Sequence, residues 1–424
     1  MEFLGFRLVF APGGAFQALT FVTAGVLLGT CSGLVPGLHV NALALLLAAT
    51  APAIPGPPHL VAATMLAAAL VHSFLDVIPS LALGVPDPAM AASALPGHRL
   101  VVEGRGREAL RLSVLRSGGA VLLAVPLAVP MTTVMGGLYP LISEYLPLVL
   151  GAVVAFLTVT ERGGGARLGA VLAFLSSGVL GLVTLPLAPA GILPTGDLLT
   201  PLFGGLFGAP VLVEALDGDG VPAQADPNLR LLRRLVAAAG AAGTLAGAVV
   251  GFVPGISSAI AATVALAALP ARTGARGFIV ATSGVNTANA TFALLALITL
   301  GTPRTGVMVA MEQAQLPLNL PLLLATVLLA AAAGSLLVLI LGDAYLRVVG
   351  DMNYRRLSVV VLVGLAALAV VFAGPVGLLA FVTAGAIGLI PPRFGARRVH
   401  LMGVLILRSS SERPVTTALL VGTG

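Results

Sequence analysis

Long apolar stretches separated by short loops run through the whole chain. They form a first set at about 16–35, 38–51, 59–85, 118–136, 140–160, 168–192 and 198–213, and a second set at about 235–252, 256–269, 277–302, 319–342, 357–373, 374–391 and 399–407. Apolar and polar residues do not alternate within them, as they would in the strands of a membrane β-barrel. The pattern therefore predicts an all-α polytopic membrane protein, with roughly 10–14 membrane segments at about 20 residues each.

A polar stretch lies near the middle of the chain. Residues 214–234 read EALDGDGVPAQADPNLRLLRR, and we expect them to form a cytoplasmic linker between membrane units at 1–213 and 235–424. Only 9% of the residues are charged and 58% are hydrophobic, whereas a soluble domain is about 25% charged. This composition excludes an ordinary soluble enzyme and predicts a multi-pass protein of the cell membrane, embedded in the lipid bilayer.

An internal repeat is the most informative feature of the sequence. The motif Gly33-Leu-Val-Pro36-Gly37 recurs as Gly251-Phe-Val-Pro254-Gly255, at an offset of 218 in the numbering. Further on, Leu83-Gly84-Val-Pro86 recurs as Leu300-Gly301-Thr-Pro303, at an offset of 217. Two motifs in the same order at nearly the same offset indicate a duplicated unit.

The arginines in the loops predict that the two repeats are inverted in the membrane. The loop at 52–58 carries no charge, but its equivalent at 270–276 carries two arginines; the loop at 87–116 carries five, whereas its equivalent carries only Arg304. Short arginine-rich loops stay in the cytoplasm. Equivalent loops are therefore expected on opposite sides, as in many secondary transporters. For the same reason the net charge of +6 reports topology, and we expect no nucleic-acid partner.

The Pro-Gly motifs predict broken, half-length helices. The apolar segments that follow them, 38–50 and 256–269, are too short to cross a hydrocarbon core of about 30 Å. In inverted repeats their N-termini would meet near the middle of the membrane, where their free N–H groups suit an anion. The predicted substrate-binding residues are Pro36, Gly37, Asn41, Pro254, Gly255, Ser257 and Ser258. The alternative interpretation is a Pro/Gly kink in a longer helix, with the hydroxyls bonded to the backbone.

A second group of polar residues lies within apolar segments. His72 and Asp76 are four residues apart and therefore share a helix face. Asn286 and Asn289 lie in the equivalent segment of the second repeat. Because ionisable groups inside a membrane are costly and mark functional sites, we expect these four residues to bind a coupling Na⁺ or H⁺. The alternatives are a mutually satisfied His–Asp pair and amides that bond neighbouring helices.

Sequence motifs of enzymes are lacking. The chain has no HExxH, no GxxxxGK[ST] and no CxxC, and the single cysteine, Cys31, excludes an intrachain disulfide. We therefore expect no enzymatic activity and no cofactor beyond a coupling ion. Without a nucleotide-binding loop, energy for transport would come from an ion gradient or from a partner.

Two stretches of the chain resemble the large permease subunit of tripartite tricarboxylate transporters, the TctA family, and look most like its compact archaeal branch. One is Gly25–Leu47, with its glycine-spaced lead-in and Pro-Gly break; the other is Leu83–Leu110, with a proline-containing break, a small-residue segment and a basic Gly-Arg-rich loop. The chain departs from the pattern in its short length and in Val-Pro-Asp-Pro after Gly84. The resemblance implies a carboxylate substrate, a small membrane subunit and an extracytoplasmic binding protein as partners.

The sequence as a whole favours a secondary transporter, expected as a homodimer, that moves a small organic anion with Na⁺ or H⁺. Two other interpretations stay open. Inverted repeats with Pro-Gly breaks also resemble small flippases of polyprenyl-phosphate lipid carriers, which need an anion site too. A non-transporting membrane scaffold would instead tolerate substitution of the Pro-Gly motifs.

Overall fold

The computed structural model describes residues 2–3, 6–7, 12–36, 38, 40–84, 94–193, 196–217, 220–227, 233–253, 256–267 and 274–411. A two-stranded antiparallel hairpin joins Glu2–Phe3 (β1) to Phe6–Arg7 (β2). All other regular structure in these ranges is helical. Helices of the first half are α1 Pro12–Leu34, α2 Val40–Thr50, α3 Pro58–Leu75, α4 Val77–Leu83, α5 Ala94–Val102, α6 Gly106–Glu144, α7 Leu146–Val159, α8 Gly164–Thr184, α9 Leu199–Phe203 and α10 Ala209–Glu214. Helices of the second half are α11 Arg233–Phe252, α12 Ser258–Ala267, α13 Gly274–Leu300, α14 Gly306–Gln313, α15 Leu320–Asp351, α16 Tyr354–Gly388, α17 Ile390–Phe394 and α18 Gly403–Ser411.

The predicted all-α polytopic architecture is confirmed. Within the described ranges seven helices are long and apolar enough to cross a membrane, and an eighth span forms if α7 and the end of α6, which meet at 82°, are taken together. Shorter apolar helices are Leu43–Ala53, Leu199–Glu214 and Ala237–Phe252. The predicted number of about 10–14 segments is reached only when these are counted, because chain breaks divide several apolar segments into half-length pieces.

A row of glycines joins α1 to α3. Gly25, Gly29 and Gly33 lie four residues apart on one face of α1, and each contacts the α3 backbone. A Cβ atom added at Gly29 would overlap the Ala68 carbonyl oxygen and lie 2.9 Å from the Cβ of Val71. Small residues at this spacing let two membrane helices approach closely, so the row sets the distance between α1 and α3.

The same row recurs between α11 and α13. Gly243, Gly247 and Gly251 follow the glycines of the first row at the offset of the Pro-Gly motif, 218 in the numbering. A Cβ atom at Gly247 would lie 2.7 Å from the Val285 carbonyl oxygen and 2.6 Å from the Cβ of Ala288. These partners follow Ala68 and Val71 at the offset of the second motif, 217. The duplicated motif is therefore a duplicated pair of packed helices.

In each pair of packed helices, the short helix between the two members reverses the direction of the chain, so that it forms a hairpin with the first member. Gly25 contacts Thr64 and Gly33 contacts His72, so α1 and α3 run parallel. The short helix α2 between them must therefore return the chain toward the side from which α1 entered. Since Gly243 contacts Ala281 and Gly251 contacts Phe292, the same holds for α11, α12 and α13. The half-length helices α2 and α12 are thus the returning arms of two helical hairpins.

Equivalent helices of the two repeats run in opposite directions. Asp76, at the junction of α3 and α4, contacts Asn286 of α13. The Leu81 side chain, five residues after Asp76, contacts Gly97. Gly97 also lies beside Ile279, which precedes Asn286 by seven residues on α13. Residue numbers therefore rise along one helix as they fall along the other. This antiparallel arrangement is the one that an inverted repeat predicts.

Arginine-bearing segments from both halves lie close together at the starts of α6 and α13. Arg276 at the start of α13 pairs with Glu108 at the start of α6, with Nε 2.6 Å from Oε1. Gln224 of the central linker accepts a hydrogen bond from the Gly106 amide at 2.6 Å and donates one to the Val101 carbonyl at 3.0 Å. A cavity of about 320 Å³ opens between this linker and the C-terminal end of α15. Arg276 lies in a loop that the sequence predicts to be cytoplasmic from its arginines.

We expect substitution of the central glycine in either row to destabilise the protein strongly. Gly29→Val or Gly247→Val places side-chain atoms against a neighbouring helix backbone, and overpacking of this kind costs about 3 kcal/mol. Gly151→Val is the control, because a Cβ at that helical glycine of α7 meets nothing within 4 Å. The measurement is the midpoint of thermal unfolding by circular dichroism in detergent. Equal midpoints for all three variants would refute the role assigned to the rows.

Candidate functional site

A buried group of polar side chains lies where the two repeats meet. It comprises Ser32, His72, Asp76 and Asn286, named here the polar centre, and none is more than 6% exposed. Ser32 Oγ lies 3.0 Å from His72 Nδ1, and Asn286 Nδ2 donates to Asp76 Oδ2 at 3.5 Å. An acid and an imidazole at the contact between antiparallel helices are costly in a membrane protein, which makes this group the first candidate for function.

The sequence around Asp76 explains how a carboxylate reaches this position. The Asp76 amide donates to the His72 carbonyl at 2.8 Å, so the helical path continues from α3 into α4. Pro79, in the first turn of α4, has no N–H to donate to the Leu75 carbonyl, which interrupts the helical ladder beside Asp76. His72 and Asp76 share a helix side, with His72 toward α1 and Asp76 toward α13. The pair therefore links one hairpin to the opposite repeat.

The tip of the first hairpin touches the polar centre. α1 ends at Leu34, and Pro36 is half-buried. Because Gly33 has no side chain, its Cα approaches α3: a Cβ there would lie 3.0 Å from the His72 carbonyl oxygen and 2.9 Å from the Cβ of Leu75. Of the predicted substrate residues at this break, Gly37 and the Asn41 side chain lie outside the described residues.

The tip of the second hairpin lies on the other side of the polar centre. The Ile260 amide donates to Ser257 Oγ at 3.3 Å, so Ser257 caps α12, and Ser258 is buried. Gly251 is level with Phe292, six residues beyond Asn286 on α13, which is about 9 Å at 1.5 Å per residue. Pro254 and Gly255 lie outside the described residues. The predicted substrate residues that are described thus lie on two tips flanking one centre.

The predicted ion-binding residues fall into two parts. His72, Asp76 and Asn286 come together in the polar centre, whereas Asn289 lies one turn further along α13. Its Oδ1 is buried and has no hydrogen-bond partner in the part of the chain that the structure describes. Asn286 and Asn289 are three residues apart and lie on the same side of the helix. The Asn286 amide is hydrogen-bonded to Asp76, whereas the Asn289 amide oxygen is available to a ligand.

Ser32 is a member of the polar centre that was not among the predicted substrate-binding or ion-binding residues. In the sequence it directly precedes Gly33, which belongs both to the first motif and to the glycine row of α1. Its hydroxyl contributes to the 3.0 Å contact with His72 Nδ1 and donates to the Gly29 carbonyl at 3.2 Å. A polar residue buried on the glycine-lined face of α1 was the available signal.

A separate ion cluster lies at the loop between α7 and α8. Glu161 Oε1 accepts from Arg397 Nε at 2.7 Å and lies 2.8 Å from His400 Nε2. Burial raises the pKa of Glu161, but hydrogen bonds from Arg397 and His400 outweigh it, so its pKa lies below the usual value. Burial lowers the pKa of His400, and the opposing attraction of Glu161 does not restore it. His400 is therefore neutral at neutral pH.

Acidification is expected to destabilise the protein through this cluster. The unfolded chain binds a proton at His400 from about pH 6.5, before the folded state does, so stability falls as the pH drops below that value. The melting midpoint at about pH 5.5 should lie below that at about pH 7.5, and His400→Gln should reduce the difference. The control is His59→Gln, in the first turn of α3. If both variants keep the full difference, His400 is not its source.

The chain is similar to known proteins over most of its length. The profile described as "Tripartite tricarboxylate transporter TctA family" matches residues 19–403. An uncharacterized protein of Methanocaldococcus jannaschii is 26% identical over 361 residues, which cover 83% of this chain and 87% of that protein. No solved structure matches. The matched range contains both hairpins, the polar centre and the ion cluster.

Proposed function

This chain belongs to the tripartite tricarboxylate transporter TctA family, and from that premise we propose that it is a secondary-active permease for an organic anion. The family is one of transporters. We propose a dicarboxylate or tricarboxylate as the substrate and Na⁺ or H⁺ as the coupling ion. The observation that carries this proposal is the polar centre: a buried carboxylate contacts an amide of the antiparallel repeat, 210 residues away, between the tips of two re-entrant hairpins.

The substrate is proposed to bind at the hairpin tips. The first backbone N–H groups of α2 and α12 have no helical partners, as at the start of any α-helix. Such groups and the positive ends of helices suit a carboxylate. Pro36, Gly37 and Asn41 would contribute from one tip, and Pro254, Gly255, Ser257 and Ser258 from the other. The described member with a capping role, Ser257, holds the start of α12 in place.

The coupling cation is proposed to bind at the polar centre. Asp76 supplies the negative charge, and the Asn286 and Asn289 side chains supply amide oxygens, the donor type that hard cations prefer. His72 is positioned by Ser32 and would respond to the charge on Asp76 one helical turn away. Cation binding here would change the contact between the repeats, and alternating access would follow from movement of one repeat against the other.

Family members are components of tripartite systems, and we propose the same for this chain. A small membrane subunit and an extracytoplasmic binding protein that delivers a carboxylate would complete the transporter, in the cell membrane and around a homodimer of this chain. The halves 1–213 and 235–424 would be its two moving units, joined by the linker at 214–234.

The test is uptake of labelled dicarboxylates and tricarboxylates by proteoliposomes of the purified protein, with imposed Na⁺ or H⁺ gradients. Uptake that requires one gradient would support the proposal and name the coupling ion. Addition of the binding protein separates a missing partner from a wrong substrate. If no carboxylate moves even then, while a labelled polyprenyl phosphate is flipped, the lipid-carrier alternative replaces this proposal.

A further inference from the structure

An arginine at the end of the helices opposite Arg276 lacks a carboxylate partner among the described residues. Arg304 follows the Gly301-Thr302-Pro303 break after α13, and its guanidinium carbon lies 4.8 Å from the centre of the Tyr139 ring. Its Nε and one terminal nitrogen are buried and make no hydrogen bond in the described part of the chain. The hydroxyl of Thr302, two residues earlier, is likewise buried and unbonded there.

The contrast with other arginines shows that this arrangement needs an explanation. Six other arginines in the described ranges pair with carboxylates, as in Arg99–Glu103, Arg105–Glu108, Arg107–Asp226, Arg276–Glu108, Arg397–Glu161 and Arg398–Glu214. A guanidinium keeps its charge at any ordinary pH. Burying its donors without acceptors is costly, and stacking on one aromatic ring satisfies the face of the group but none of its in-plane N–H donors.

The position of Arg304 relates it to the first hairpin. α13 runs away from the cytoplasmic end marked by Arg276, so Arg304 lies at the extracytoplasmic end. α14 begins two residues later, and its Val307, Met308 and Met311 pack in one apolar cluster with Ala44 and Leu47 of α2. Arg304 therefore stands beside the outer end of the returning arm whose inner end is the break at Pro36.

We propose that Arg304, with the Thr302 hydroxyl, binds a carboxylate group of the transported anion as it enters from the extracytoplasmic side. The planar fork of a guanidinium matches the two oxygens of a carboxylate. Tyr139 holds the guanidinium by its face and leaves the N–H edge for the ligand. The inference rests on the proposed function for its substrate. The same chemistry would suit the phosphate of a lipid headgroup, so the experiment must separate these two sources.

The first arm measures citrate uptake by proteoliposomes as a function of citrate concentration. Arg304→Gln should raise the concentration for half-maximal uptake at least tenfold, as expected for loss of a charged hydrogen-bond pair, and Arg304→Lys should raise it less. Arg116→Gln is the matched control, because the Arg116 Nε is also buried without a hydrogen bond in the described residues, but its guanidinium packs against Gly240 on α11. Wild-type affinity in Arg304→Gln, or an equal loss in Arg116→Gln, would overturn the proposal.

The second arm measures binding without transport. Gly301→Cys, in a Cys31→Ser background, is labelled with a membrane-impermeant maleimide, because Gly301 is exposed and a Cβ atom there meets nothing within 4 Å. If citrate slows the labelling, and this protection is lost when Arg304→Gln is added to the same protein, the result supports the site. This holds whether or not uptake occurs. If the wild-type protein transports no carboxylate, the proposed function fails. Slower labelling in vesicles that contain a polyprenyl phosphate would then assign the site to a lipid phosphate. Labelling that is slowed by neither ligand overturns the inference.

Discussion

Asp76→Asn is expected to reduce gradient-driven uptake of the anion by at least about 100-fold, more than any other single change at the polar centre. The substitution keeps the size of the side chain and its contact with Asn286, but it removes the negative charge that a cation needs in a membrane interior. Losing a charge that compensates a desolvated cation costs several kcal/mol, and about 1.4 kcal/mol corresponds to a factor of ten.

Exchange measurements separate a coupling role from a structural one. Proteoliposomes preloaded with unlabelled substrate exchange it for labelled substrate without net ion movement, so Asp76→Asn should retain exchange while losing gradient-driven uptake. Ser73→Ala, one residue after His72 on α3, is the control, because the Ser73 hydroxyl donates to the Ala69 carbonyl of its own helix at 3.0 Å. Full gradient-driven uptake by Asp76→Asn would remove Asp76 from the coupling site; loss of exchange together with lowered thermal stability would mean that the residue is structural.

Much of the fold was predictable because the duplicated motifs are local and their spacing is fixed. Pro36 and Gly251 lie within them, and each marks the end of the inward arm of a hairpin. The arginine distribution also predicted the antiparallel direction of the repeats, since loop charge follows membrane side. Helix lengths were predicted less well: α6 runs over Gly106–Glu144, whereas the apolar pattern indicated a segment at about 118–136, because the arginine-bearing turns before it are helical without being apolar.

The partners within the site were less predictable. His72 and Asp76 were expected to act as a pair on one helix face, but each also contacts another helix, His72 at Ser32 on α1 and Asp76 at Asn286 on α13. Which residue of another helix a side chain meets depends on the rotation of both helices about their axes, which is set by packing of the glycine rows. No local pattern encodes that rotation. For the same reason Arg304 was interpretable from sequence only as a topology marker.

A large effect on stability is expected at Glu108, which links the start of α6 in the first half to the start of α13 in the second half. This carboxylate is buried and accepts from Arg105, the residue before α6, at 2.7 Å and from Arg276 of α13 at 2.6 Å. Glu108→Gln leaves two guanidinium groups facing a neutral amide. Breaking a buried ion pair costs about 3–5 kcal/mol; since both arginines remain partly exposed, we expect the lower end of that range, about 3 kcal/mol.

The matched control is a surface ion pair at the same end of the protein. Glu103→Gln breaks the Arg99–Glu103 pair, whose side chains are 78% and 42% exposed, and exposed pairs contribute about 0.2–1 kcal/mol. Unfolding midpoints in detergent should therefore fall clearly for Glu108→Gln and hardly change for Glu103→Gln. Raised salt should weaken the surface pair but not the buried one. If both substitutions gave the same small shift, Glu108 would be solvated in the folded protein, and the remaining packing between α6 and α13 would join the two halves at this end.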